Sequence, residues 1–565
     1  MMRQRVVISA GAVALILLLV SALAGACDDG ERAALLSFLD ALLPQPGDGI
    51  AASWRASPDC CAWEGVACGD GGTVTRVSLP GRGLGGTISP SVANLTALAH
   101  LNLSGNSLAG AFPAELLALP NATVLDVSYN RLTGALPDPP AAGRAPLPLQ
   151  VLDVSSNYLS RQFPSALWRL TPGLVSLNAS NNSFSGAIPS SLCAICPALA
   201  VLDVSVNAFG GAVSSGFGDC ARLRVLSAGR NNLTGELPDD LFDVATLQQL
   251  LLPSNRIQGR LDRLRLASLT SLVALDLTYN ALDGELPASI GELTMLEELR
   301  LGKNNLTGLI PPTLSNWTGL RYLDLRSNSF VGDLGAFDFS GLVNLTVFDV
   351  ASNNFSGAMP RSIYSCTSMT ALRVANNEIA GQVAPEIGNM RDLQFLSLTV
   401  NSFTNISGMF WNLRDCKNLT ALLVSYNFNG EALPDAAWVG DHVSSVRLMV
   451  MENCRLSGQI PSWLSKLQDL NVLNLAGNSL TGPIPSWLGG MRNLYYVDLS
   501  ENHFAGEIPP SLMELRLLTS EKAMAEFNPG HMPLVFTLTP NNGADIRQGR
   551  AYYQMTGRSW TGTRG

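Results

Sequence analysis

One asparagine, returning in a fixed register along most of the chain, limits the fold more than any other feature. The stretch from Leu98 to Gly110 reads LAHLNLSGNSLAG, with Asn106 as the reference position. It returns from Leu272 to Gly284 as LVALDLTYNALDG and from Leu470 to Gly482 as LNVLNLAGNSLTG. In this register about eighteen units run from Val74 to Pro509, mostly about 24 residues apart. A chain of 565 residues would ordinarily divide into several cores. A repeat of this length instead stacks unit on unit, because one unit cannot bury its own leucines.

Each position of the unit has a physical task. Leucines at alternate positions of a short strand point inward and stack on the next rung. The asparagine amide can satisfy backbone groups where the chain leaves the strand. Glycine then permits tight bends, and Ile188-Pro189, Leu237-Pro238, Ile310-Pro311 and Ile460-Pro461 start the return path. The expected fold is an α/β repeat solenoid whose parallel strands line a concave face.

Outside the repeat, the first 26 residues read as a secretory signal. Arg3 and Arg5 precede an apolar run from Val6 to Leu23, and Ala24, Gly25 and Ala26 supply a cleavage site. The same run is long enough for an uncleaved signal-anchor, which stays as the alternative. Ten cysteines in an exported chain point to disulfides. Cys27, Cys60, Cys61 and Cys68 cluster at the mature start, in residues 27–72, where a stapled cap would close the first rung. The expected pairs are Cys27–Cys60 and Cys61–Cys68, with other connectivities open. Cys193 and Cys196 have a redox or zinc spacing, but no partner Cys or His pair accompanies them. Cys193 and Cys220 lie about one repeat apart, so a rung-to-rung disulfide is expected there. Asn94, Asn121, Asn232, Asn305, Asn316, Asn344, Asn354, Asn405 and Asn418 open N-glycosylation consensus sites. Asn178 opens another, at a strand position facing the concave side.

A formal charge of -9 argues against nucleic-acid binding. The four histidines, His100, His442, His503 and His531, form no metal motif, and neither a phosphate-binding glycine loop nor a kinase signature occurs. No enzyme and no cofactor are therefore expected. On the concave strands, residues four, two and one before the ladder asparagine face outward. They place Arg230, Arg300, Lys303, Arg326 and Arg373 there, with Asp276 and Asp324 interleaved. Such a face is either a solvated surface or an anion-compatible groove, since a guanidinium can hold a sulfate or carboxylate through two hydrogen bonds.

The repeat with its Leu-x-Gly-x-Ile-Pro return resembles the plant-specific leucine-rich repeats, which implies a right-handed superhelix. The stretch from Cys60 to Cys68 (CCAWEGVAC) resembles the N-terminal cap of plant receptor kinases and receptor-like proteins. Residues 519–565 leave the repeat, and Phe527 to Phe536 (FNPGHMPLVF) resembles the entry to the island insertion of phytosulfokine and tyrosine-sulfated glycopeptide receptors. Asn427 to Asp435, Asn453 to Leu456 and Ile484 to Leu488 are similar to that clade too. The resemblance runs from about Cys27 to residue 558. It implies a small secreted, tyrosine-sulfated peptide as ligand and a somatic embryogenesis receptor kinase as co-receptor. Carried over by position, the ligand residues are Arg326, Ser397, Thr399 and Ser425; Arg300 joins them as a central-rung charge, and Phe536 lies in Leu534 to Leu538, whose composition suits pairing with a ligand backbone. Three positions depart: Arg373 replaces an Asn, Asn474 an Asp, and Thr537 a basic residue. The chain stops in or just after the island, so the expectation is a kinase-less receptor ectodomain, in the apoplast as it stands. A receptor-like protein or inhibitor solenoid that binds another protein, such as a pathogen or cell-wall enzyme, is the alternative. Repeats from 73 to 518 and the irregular tail complete the expected organisation.

Overall fold

The computed structural model describes residues 27–43, 49–138, 146–435 and 438–514. The signal expected in residues 1–26, the island segment and the candidates Phe536 and Thr537 lie outside the described residues. The described residues divide into two compact units, one up to Leu306 and one from Thr307.

The first unit opens with the cap. Asp28 accepts from Gly30 N and starts the helix Asp29–Asp40, which buries Leu35 and Phe38. A second helix, Gly49–Ala56, buries Trp54, whose ring stacks on Trp63 with centroids 5.1 Å apart. Trp54 Nε1 donates to the Glu64 carbonyl at 2.9 Å, so the buried indole keeps its polar end satisfied. Cys27 is bonded to Cys60 and Cys61 to Cys68, which staples the short elements that cannot build a core of their own. The strand Val66–Cys68 pairs antiparallel with the first rung strand, Val74–Ser78. Glu31 joins the cap helix to that rung: its buried carboxylate accepts from Val74 N at 3.0 Å.

From Val74–Ser78 onward the strands are parallel and pair in sequence order through Glu298–Arg300. Register is set by the leucines: Leu177, Leu202, Leu226, Leu250, Leu275 and Leu299 stand opposite one another and are at most 1 % exposed. Slipping one rung by a residue would turn this whole row outward. The ladder asparagine does the rest. Asn231 accepts from Phe209 N and donates to the carbonyls of Val204 and Ala228, so one amide binds its own rung to the preceding one. Pro238 then leads into the 3-10 turn Asp239–Asp243 on the return path. Cys193 and Cys220, bonded across successive return turns, add a covalent tie.

The second unit repeats this plan in parallel strands from Tyr322–Asp324 to Tyr496–Asp498. Phe348, Leu372, Leu396, Leu422, Met449 and Leu473 form its inward row, at most 1 % exposed. Cys366, Cys416 and Cys454 are free and buried within it, as is Cys196 in the first unit. Burial pushes these thiols up to between about 11 and about 12, which leaves them as small core hydrophobes. The fold is a leucine-rich-repeat solenoid with a disulfide-stapled N-terminal cap. Among the described residues no helix is long and apolar enough to cross a membrane.

Candidate functional site

Alternation along a strand sends every second side chain away from the leucine row. In the second unit this puts Arg326, Arg373, Ser397, Thr399, Ser425 and Asn474 on the strand face. Arg300 belongs to the first unit, where its guanidinium meets Glu298 at 2.9 Å. In that unit Lys303 also lies 4.5 Å over the Tyr279 ring. The face of each unit therefore mixes both signs of charge.

The strongest charge cluster joins three rungs of the second unit. Asp324 and Asp349 stand directly opposite in register, as do Asp349 and Arg373. Two carboxylates side by side would repel, and both are buried, at 2 % and 1 % exposure. Two arginines offset them. Arg326 reaches Asp324 at 3.5 Å and Asp349 at 3.4 Å, while Arg373 Nη1 donates to Asp349 Oδ2 at 3.1 Å. Asp349 Oδ1 accepts from Ala351 N, which fixes the carboxylate. The Arg373 guanidinium lies over Phe395, 4.6 Å from its centroid. Its Nε and Nη2 are buried and have no hydrogen-bond partner among the described residues. Thr399 Oγ1, on the next rung, is also buried and unpartnered.

Beyond Arg373 the strand face changes character. Phe395, Ala421, Leu423, Leu448, Val450 and Val472 occupy outward positions yet are only 1–9 % exposed, and with Ala371 they form one apolar cluster. Val347 and Tyr495 pack against it. Polar residues resume at its far side. Asn474 accepts from Ala476 N and donates to Glu452 Oε2 at 3.3 Å, and Ser425 Oγ accepts from Glu452 N at 3.0 Å. The sequence reading missed Asp349, Phe395, Glu452 and the cluster itself. A signal was present: LLV from Leu422 and LMVM from Leu448 are unbroken apolar runs where other rungs alternate.

Nine consensus asparagines lie off the rung strands, whereas Asn102 and Asn178 sit in them and exposed Asn181 directly precedes ladder Asn182. Asn94, Asn121, Asn232, Asn305, Asn316, Asn344, Asn354, Asn405 and Asn418 are all exposed and lie outside the rung strands. Asn178 sits in the rung strand Ser176–Asn178, half-buried, donating to Asp153 Oδ2 and accepting from Ser180 N. Among the described residues no group of His, Cys, Asp and Glu side chains could hold a metal ion.

Comparison with known proteins agrees with this architecture. The leucine rich repeat N-terminal domain matches residues 28–69, and leucine rich repeat profiles match 148–170, 173–195, 270–330 and 444–504. Receptor-like protein 3 of Arabidopsis thaliana is 40% identical over 211 residues, 37% of this chain and 28% of that protein. Phytosulfokine receptor 1 of the same plant is 42% identical over 90 residues, 16% of this chain and 9% of that receptor. These matches thus span less than a third of either relative's length. Among solved structures, the PEPR1–AtPEP1 complex aligns over 87% of this chain and 74% of its own, with 28% identity and a TM-score of 0.68. The Arabidopsis receptor kinase HAESA, in complex with the peptide hormone IDA and the co-receptor SERK1, aligns over 86% and 92%, with 27% identity and a TM-score of 0.65. This chain is a leucine-rich-repeat solenoid similar to the ectodomains of plant receptors and receptor-like proteins.

Proposed function

We propose that the chain is the extracellular recognition module of a plant receptor, and that it binds a small secreted, tyrosine-sulfated peptide along the strand face of its second unit. The observation that carries this reading is positional. Arg326, Arg373, Ser397, Thr399, Ser425 and Asn474, carried over from the resembled receptors by sequence register, share one face beside an apolar cluster. A peptide needs both: apolar contact for affinity and a few placed polar groups for direction. The exposed glycosylation consensus sites lie off that face, which keeps it clear of sugar. The HAESA structures with the peptide hormone IDA, among the structural neighbours, support the ligand class. A co-receptor of the somatic embryogenesis receptor kinase type is the expected partner, by analogy with the SERK1 complex. Phe536 and Thr537 are proposed to take part from the island.

The test is binding of the purified secreted chain to a panel of short peptides, each made with and without tyrosine sulfate. At least one sulfated form should bind about tenfold tighter than its unsulfated twin, a difference of about 1.4 kcal/mol. Equal and negligible binding of both forms across the panel refutes the sulfated-peptide reading. The similarity to receptor-like protein 3 favours a second reading, recognition of another protein such as a pathogen or cell-wall enzyme. Tight binding of such an enzyme by a chain indifferent to the peptides would select it.

A further inference from the structure

After the ladder asparagine, most rungs of the first unit form a second short strand, and these strands pair with one another on the flank. Arg131–Ala135, Tyr158–Arg161 and Ser183–Gly186 are neighbours there. The fourth residue after the ladder asparagine takes a left-handed φ. From Gly110 to Gly381 it is glycine in every rung but one. The exception is Arg161, at φ 73°. Any side chain is strained there, because its Cβ crowds the following carbonyl.

Nothing inside the chain offsets that strain. Arg161 is exposed, and among the described residues its guanidinium has no ion-pair or hydrogen-bond partner. Asn405, which takes the same position in the rung after Gly381, is different: it accepts from Gly408 N and caps the helix Ile406–Asn412. Uncompensated strain in an exposed, charged residue is a mark of a working site.

Two more long side chains stand on the same flank. Tyr158 is 63 % exposed, in register opposite Thr133. Arg131 is exposed and has no partner among the described residues either. With strands about 4.8 Å apart and about 3.3 Å per residue, Arg131, Tyr158 and Arg161 span about 17 Å in that order. Gly134, Ala135 and Ser183 beside them have little or no side chain. Tyr158 is the only large exposed hydrophobe on these three strands. Such a shelf lacks the apolar core of a protein interface. It does offer an open ring against which the C–H face of a sugar can stack, with a guanidinium fork for a carboxylate on either side.

We propose that Arg131, Tyr158 and Arg161 form a docking shelf for an acidic polysaccharide built of uronate units, with Arg161 as its anchor. The proposal rests on the extracellular part of the proposed function, where such polymers are met, and not on the peptide.

The experiment titrates the whole secreted chain, at one ionic strength, with an oligogalacturonate long enough to span the shelf. Its methyl-esterified form and a polyglutamate of equal charge are the comparisons. The oligogalacturonate should bind at least about tenfold tighter than either. Arg161→Gly should weaken that binding about tenfold and at the same time raise the melting temperature, because glycine relieves the strain. Tyr158→Ala and Arg131→Gln should also weaken it. Arg222→Gln, exposed in the same unit but off these strands, should bind like the native chain. A native chain that ignores the oligogalacturonate, or an Arg161→Gly chain that binds it undiminished, overturns the shelf. So does a melting temperature that falls in Arg161→Gly, which would make Arg161 structural. Polyglutamate bound equally well overturns the polysaccharide and selects an acidic protein. Peptide binding that survives in Arg161→Gly leaves the receptor reading standing whatever becomes of the shelf.

Discussion

Asp153 shows how the solenoid sets the state of a single side chain. It stands in register between Asp126 and Asn178 on the strand face of the first unit. Burial raises its carboxyl above the ordinary 3.8, bonds from Ser155 oppose that, and the Asp126 charge adds to it. The folded chain therefore keeps this proton to higher pH than the unfolded chain. The stability contributed by the site is full in acid and is lost as pH rises from 3.8 through the raised folded value. Asparagine already fills this slot in neighbouring rungs: Asn102 and Asn178 accept from Ser104 N and Ser180 N, as Asp153 does from Ser155 N. Asp153→Asn should be more stable than the native chain at pH 7, with the advantage gone near pH 3. Denaturant midpoints measured across that range check the sign. A native chain that gains stability over Asp153→Asn as pH rises would contradict it.

At the scale of the element, the bridge between Cys193 and Cys220 joins the short helix Leu192–Ile195 to the end of the next return turn, Phe217–Asp219. It closes a loop of 27 residues. Replacing both cysteines by serine should cost about 3 kcal/mol, mainly by freeing the unfolded chain. A lowered denaturant midpoint reads the loss, and a midpoint unchanged within error would show that the rungs alone hold these turns. The rungs themselves were legible because each repeat position has one task, so strand, inward leucine and ladder asparagine could be placed by counting. Outward positions were legible for the same reason, and Arg326 and Arg373 were found that way. Their partners were not: Asp349 meets Arg326 from 23 residues further along. Nor was the backbone just before the ladder asparagine. Tyr129, Val206, Lys303 and Val400 all take left-handed φ of 52° to 57° there, with none of the glycine or asparagine that would signal it. The amide ladder imposes that turn against local preference.

Across the molecule, stability is a chain of nearest-neighbour contacts. Asn353 accepts from Phe330 N and donates to the Leu325 and Val350 carbonyls, all near 3.0 Å. Asn353→Ala would leave the buried Phe330 N–H without its acceptor, at about 1–3 kcal/mol, while the Leu325 and Val350 carbonyls keep Asn328 and Asn377 as donors. The loss should stay local. Hydrogen exchange is expected to quicken in strands Tyr322–Asp324, Val347–Asp349 and Ala371–Arg373 while the cap helix Asp29–Asp40 keeps its protection. Uniform quickening through the cap would instead reveal one cooperative core.

The antiparallel strand Val66–Cys68 has a consequence of another kind. A stack of parallel strands can always accept one more, and an uncovered first rung would accept the last rung of another molecule. Head-to-tail addition of that sort does not close on itself and grows into fibres. This one strand covers Val74–Ser78, runs against the rungs and, bound to Cys61 through Cys68, leaves an incoming rung only a three-residue edge to pair with. Three residues thereby keep a polymer-forming architecture finite at this end.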